Sequence, residues 1–168
     1  MSGHSGTGTN IVLIGMPGAG KSTIGPLLAK KLDMDYTDLD DVIKEGQGKE
    51  LRDIVLEQGF ESFLRIQEQA VSSLRLENHV LATGGSVVMS PATMAHLKEN
   101  GRIVYLQLDY ETIEKRLAPG RRLARSSGQS LREVFGERTP LYSHYADVTV
   151  DCAGRDAEDI TGEILAVI

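Results

Sequence analysis

Ile11-Val12-Leu13-Ile14-Gly15-Met16-Pro17-Gly18-Ala19-Gly20-Lys21-Ser22-Thr23 carries the strongest fold signal in the chain. It opens with four apolar residues in a row, as a strand covered on both faces would. From Gly15 the chain matches G-x-x-x-x-G-K-[ST], and Ile24, Leu27, Leu28 and Leu32 then recur at helical spacing. A strand, a glycine-rich loop and a helix in that order form an anion cradle, because loop N–H groups and the helix N-terminus converge on one point. The glycines permit backbone angles closed to other residues and clear space for phosphate oxygens. In such a loop the lysine reaches the β- and γ-phosphates and the hydroxyl after it ligates Mg²⁺. Gly15, Gly18, Ala19, Gly20, Lys21, Ser22 and Thr23 are therefore the candidate nucleotide-binding residues. A ligand-free glycine turn is the competing reading, and the flanking strand and helix favour the nucleotide. Pro26 falls inside the expected helix, where proline costs up to ~3 kcal/mol, and predicts a kink or a late helix start.

Outward from this loop the pattern alternates. Further strands are expected at Met34–Thr37, His79–Thr83, Arg102–Leu108 and Val148–Asp151. Helical stretches are expected at Pro91–Glu99, Glu111–Leu117, Leu131–Thr139 and Asp156–Val167, and in pieces from Asp41 to Leu76 with breaks at Gly46–Gly48 and Gly59. Strands separated by helices imply right-handed crossovers and a parallel sheet, so the expected fold class is α/β: one domain, a five-stranded parallel sheet flanked by helices, and a lid. Ligands of such sheets bind beyond the carboxyl ends of the strands.

Composition narrows the classes further. A chain of 168 residues fits one domain, and burial of roughly 70% of its unfolded surface makes disulfides or a structural metal unnecessary. Eighteen basic against 24 acidic residues give a net charge of −6, which disfavours a general nucleic-acid binder. The single cysteine, Cys152, excludes an internal disulfide and reads as a small buried hydrophobe. No apolar run is long enough for a bilayer and no secretory signal is read, so a cytoplasmic protein without membrane association is expected. Residues 1–9, small and polar, read as a flexible tail before a domain spanning 10–168.

Two further segments carry polar chemistry at strand ends. Thr37-Asp38-Leu39-Asp40-Asp41 follows the second expected strand, and residues two apart on an extended segment share a face. Beside a Mg²⁺–nucleotide, one such carboxylate can hold the metal's water and the other can take the proton of an attacking hydroxyl. Helix capping by Asp40 or Asp41 is the alternative, with Asp41 the better capper of a helix starting near Val42. Thr83-Gly84-Gly85-Ser86 follows the third strand, where paired glycines let a ligand approach the backbone.

Together these elements resemble the shikimate kinase family, and the resemblance runs from about Asn10 to the C-terminus. It is carried by the phosphate loop, Asp38-Leu39-Asp40 for the family's Asp-x-Asp, Thr83-Gly84-Gly85 for its glycine turn, a basic lid, and Arg138-Thr139-Pro140-Leu141-Tyr142 for its Arg-x-Pro-Leu-Tyr. The resemblance implies a P-loop kinase using ATP and Mg²⁺ to phosphorylate one hydroxyl of a cyclic hydroxy acid, most simply shikimate. It places Ser22 and Asp38 at the metal. It gives Asp40 the task of holding and activating the acceptor hydroxyl, Gly84 and Gly85 a place against the acceptor, and Arg138 the acceptor's carboxylate. Catalytic roles fall to Lys21, Asp40 and a lid arginine within 118–130, which Arg121 matches by its spacing to Leu123, with Arg122 close behind and Arg125 further on. The expected partner is a small-molecule hydroxyl acceptor, with neither nucleic acid nor membrane, and the chain is expected to be a monomer.

The acceptor half departs from the pattern. The family's Phe-Arg-x-x-Glu reads here as Phe63-Leu64-Arg65-Ile66-Gln67, the third glycine of the turn is Ser86, and the lid is shorter before its arginine. An Arg–carboxylate contact is worth roughly 1.5–3 kcal/mol, about 10- to 100-fold in affinity. Arg65 and Glu68 keep the spacing one position later, about 100° around a helix; Arg65 is expected on the surface, paired with Glu61 or Glu68, unless the helix is rotated. The alternatives to shikimate are another small hydroxy acid or polyol, or a non-catalytic ATP-binding protein. A GTPase is disfavoured because no Asn-Lys-x-Asp segment is present.

Overall fold

The computed structural model describes residues 10–117 and 124–168. Strands β1 (Asn10–Ile14), β2 (Asp35–Asp38), β3 (His79–Ala82), β4 (Gly101–Gln107) and β5 (Val148–Asp151) form one parallel sheet in the order β2-β3-β1-β4-β5. The unbroken apolar run puts β1 at the centre, where every residue is buried and Ile11 pairs with Val80 on one side and Arg102 on the other. The chain leaves β1 toward β2 on one side and later returns to β4 on the other. The carboxyl end of β1 is thus the switch point where such sheets open a crevice.

The edge strand β2 is Asp-Tyr-Thr-Asp, half exposed, and begins one residue later than Met34–Thr37. Its register, Asp38 opposite Ala82, is set by pairing to β3 and not by an apolar run. Thr83 leaves the ladder, yet its N–H and hydroxyl both donate to the Leu13 carbonyl, at 3.2 and 2.8 Å. That clamp holds the turn after β3 beside the loop after β1.

Helix α1 (Lys21–Leu32) starts at the phosphate loop with Gly20 as N-cap at φ 106°, a left-handed conformation suited to glycine. It runs through Pro26, so the expected late start is not seen; Ile24 and Leu28, buried on either side of the proline, anchor both halves. The Asp41–Leu76 stretch is α2 (Leu39–Gln47), α3 (Leu51–Gln58) and α4 (Phe60–Ser73), broken at Gly48 and Gly59 as expected. Helices α5 (Pro91–Glu99), α6 (Tyr110–Arg116), α7 (Leu131–Tyr145) and α8 (Ala157–Val167) complete the fold, with a short 3₁₀ turn at Val87–Met89. Helix α7 does not stop at Thr139. It continues through Pro140 because Val134, Arg138 and Tyr142, four apart, are all buried, and that packing outweighs the proline's missing N–H. Cys152 is buried, and burial pushes its thiol up to about 11, as an inert core cysteine requires. No described helix is long and apolar enough to cross a membrane.

Candidate active site

The loop Gly15–Gly20 wraps the N-terminus of α1 at the switch point. Lys21 is the first helical residue, and its buried side chain turns back so that Nζ donates to the carbonyls of Gly15 (2.5 Å) and Met16 (2.9 Å). The ammonium is therefore held inside the ring of the loop. Ser22 and Thr23 are exposed at the helix start, and Ala19 is buried beneath the loop.

The carboxylates do not sit as an extended segment would put them. Helix α2 begins at Leu39, and Asp38 is its N-cap, with Oδ1 accepting the Asp40 N–H at 2.9 Å. Neither Asp40 nor Asp41 caps; both lie in the first turn. Asp38 Oδ2 accepts from the Ser22 hydroxyl at 3.0 Å, so a strand end and a helix start present two hard oxygen donors side by side. That pair fits Mg²⁺, which takes one or two protein oxygens and fills its octahedron with water and phosphate. Among the described residues no group of three or more His, Cys, Asp or Glu could hold a metal ion.

Asp40 faces the same crevice. Burial and the neighbouring Asp38 charge raise its pKa, while Lys21 and Lys44 oppose the rise. Among the described residues its buried Oδ1 has no hydrogen-bond partner. The turn after β3 closes over it: a Cβ on Gly84 would stand 2.7 Å from Asp40 Oδ1, and one on Gly85 would stand 2.5 Å from Pro17 Cδ. Only residues without a side chain let these three segments meet.

Arg138 projects from α7 into the protein and is 1% exposed. Its Nη2 donates to the Ala124 carbonyl at 2.6 Å, its Nε has no partner among the described residues, and its guanidinium lies 5.8 Å from the Phe60 ring centroid. Burial works against its charge. One turn on, Tyr142 donates its hydroxyl to the Gly85 carbonyl at 2.6 Å, tying α7 to the glycine turn.

A family model described as shikimate kinase matches residues 17–168. The chain is 33% identical to shikimate kinase of Persephonella marina, over 95% of this chain and 98% of that one. It is 38% identical to shikimate kinase of Francisella tularensis subsp. holarctica, over 92% of each. The chain belongs to the shikimate kinase family. A solved shikimate kinase from Acinetobacter baumannii, in complex with shikimate, superposes with a TM-score of 0.87 at 30% identity, covering 96% of this chain and 93% of that one. The five-stranded P-loop kinase fold expected from the sequence is the fold of these family members.

Within the family frame the departures are now concrete. Gln67 is fully buried and faces Ser86: the Ser86 hydroxyl donates to Gln67 Oε1 at 3.3 Å, and Gln67 Nε2 reaches the Ser86 carbonyl at 3.5 Å. Two unusual residues thus form one neutral buried pair. Arg65 is exposed, as expected, but it pairs with neither Glu61 nor Glu68; it donates to Ser62 Oγ at 3.0 Å, while Glu68 accepts from Ser90.

Arg121 and Arg122, like residues 118–123 in general, lie outside the described residues. The structure also adds residues that the sequence reading missed. Arg116 donates to the Gly18 carbonyl at 3.0 Å, bracing the phosphate loop from α6, and no motif signals it. Tyr142 sits one helical turn from Arg138, a spacing that could have marked it as a partner. Tyr36 packs against Gly25, where a Cβ would stand 2.3 Å from its ring, and burial with the Asp38 charge pushes its hydroxyl up to about 12.

Proposed function

We propose that this chain transfers the γ-phosphoryl group of ATP to a hydroxyl of shikimate, giving shikimate 3-phosphate and ADP, with Mg²⁺ held at Ser22 and Asp38. The observation that carries the reading is Asp40: a carboxylate with an oxygen unpartnered among the described residues, raised proton affinity and a glycine turn opened around it. A protein that only binds nucleotide has no use for it. Similarity to the shikimate-bound Acinetobacter baumannii enzyme supports shikimate as acceptor.

In this reading the acceptor oxygen attacks the γ-phosphorus, the bond to the β-phosphate bridge breaks, and the hydroxyl proton passes to Asp40. Lys21 and the loop amides stabilise the charge that builds on the transferring group. When bound, Mg²⁺ supplies further charge neutralisation and aligns the phosphates. Gly84 and Gly85 present backbone to the acceptor, Arg138 receives its carboxylate, and Arg121 is assigned to the phosphates by its place in the family pattern.

The test is an ADP-release assay with Mg²⁺–ATP, with and without saturating shikimate, on the parent chain and on Asp40→Asn. The parent should respond strongly to shikimate. Asp40→Asn should lose about 10²- to 10⁴-fold in turnover while keeping ATP affinity. Release no faster than the ATP-only background, from protein shown to bind ATP, would overturn shikimate as acceptor; a fully active Asp40→Asn would overturn the assignment of the base.

A further inference from the structure

A cleft of about 530 Å³ opens between the α3–α4 break and residues 125–128. Val55, Gly59 and Phe60 form part of its wall, and among the described residues every charged side chain that lines it is a guanidinium: Arg52 from α3 and Arg125. In a chain of net charge −6 that is a local reversal of sign. Among the described residues Arg125, half-buried, makes no ion pair or hydrogen bond, and Arg52 reaches only its sequence neighbour Asp53, at 3.9 Å.

Arg138 lies against the wall of the cleft. Phe60 lines the cleft and carries the Arg138 guanidinium over its ring, and the Ala124 carbonyl that Arg138 grips belongs to the residue before Arg125. Arg138 is buried without a carboxylate partner among the described residues and with Nε unpaired. A buried guanidinium in that state is costly until an anion meets it. A second guanidinium nearby, Arg125, raises the cost further by like-charge repulsion. The same arrangement becomes favourable once an anionic group sits between them, because an arginine fork binds a carboxylate through two charge-assisted hydrogen bonds.

We infer that Arg125, together with Arg52, extends the Arg138 site into a carboxylate subsite for the acceptor, and that this subsite replaces the charge absent at Leu64. The inference rests on the proposed function, since it concerns the same acceptor. It makes Arg125 a determinant of acceptor affinity and specificity, and leaves the phosphates to other groups.

The experiment compares the parent with Arg125→Gln and Arg52→Gln, measuring kcat and KM for shikimate and for ATP, with shikimate carboxamide as the uncharged comparison. Arg125→Gln should raise the KM for shikimate roughly 10- to 100-fold. The KM for ATP should move less than about twofold, and the effect should largely vanish with the carboxamide. Arg52→Gln should act in the same direction by a smaller factor, because Arg52 is more exposed. A rise in the KM for ATP instead would assign Arg125 to phosphate and overturn the inference, as would an unchanged KM for shikimate. If the parent does not turn shikimate over at all, the functional reading fails separately. Calorimetric titration with cyclohex-1-enecarboxylate then decides the subsite by itself: parent binding that Arg125→Gln weakens at least about tenfold sustains it, and equal or absent binding ends it.

Discussion

Gly84→Ala isolates the geometry on which the proposed chemistry depends. The φ of Gly84 lies outside the left-handed region, so alanine meets no backbone penalty there, and the only obstacle is the Asp40 carboxylate 2.7 Å from the new Cβ. An ordinary contact begins near 3.4 Å, so the carboxylate has to retreat by about 0.7 Å. Misplacement by 1 Å can cost about 10²-fold in rate, so a loss of turnover between about 10- and 100-fold is expected. Overpacking adds a stability cost on the order of 1 kcal/mol, a fall in Tm of about 2–4 °C for a chain of this size. Steady-state kinetics and a thermal melt measure the two effects. The decisive comparison is the double variant with Asp40→Ala, which removes the obstructing atoms. Its Tm should recover relative to Gly84→Ala alone, with a coupling of about 0.5–3 kcal/mol. Turnover within twofold of the parent in Gly84→Ala, or additive losses of stability in the double variant, would show that the gap at Gly84 does not set the position of the Asp40 carboxylate.

Asp38→Asn should raise the Mg²⁺ concentration needed for half-maximal activity, measured by titrating the metal at fixed ATP, because it replaces one of the two adjacent oxygen donors with an amide. The same variant tests the cause of the raised Asp40 pKa. Activity should fall as pH drops through that value and the base is protonated, and removal of the Asp38 charge should move this acidic limb to lower pH. Gln67→Glu should lower stability by about 1–3 kcal/mol, because a buried carboxylate cannot donate to the Ser86 carbonyl. Burial raises the pKa of the new carboxyl, so melts should show the deficit shrinking below the ordinary carboxylate range, where it is neutral in both states, and growing as pH rises through the folded value.

Much of this protein is determined one segment at a time. Ile11–Ile14 and Val148–Asp151 declare themselves as strands, Gly15–Ser22 as a phosphate loop and Gly59 as a break, because each depends on local apolar pattern or on backbone angles that few residues adopt. Asp38, Asp40 and Gly84 could also be read as candidates from motif positions, and Arg138 from its resemblance to the family pattern. Their working geometry could not. Whether Asp38 caps α2 or Asp40 does depends on where pairing of β2 to β3 ends, and the passage of α7 through Pro140 depends on what buries Val134 and Tyr142. Arg116 on Gly18, Ser86 on Gln67 and Tyr142 on Gly85 join segments far apart in the chain. Such contacts follow from packing across the whole fold, and residue type and local spacing do not encode them. The glycine loop is a local feature and is legible in the sequence, whereas the pairing of Gln67 with Ser86 and of Tyr142 with Gly85 is set by packing across the whole fold.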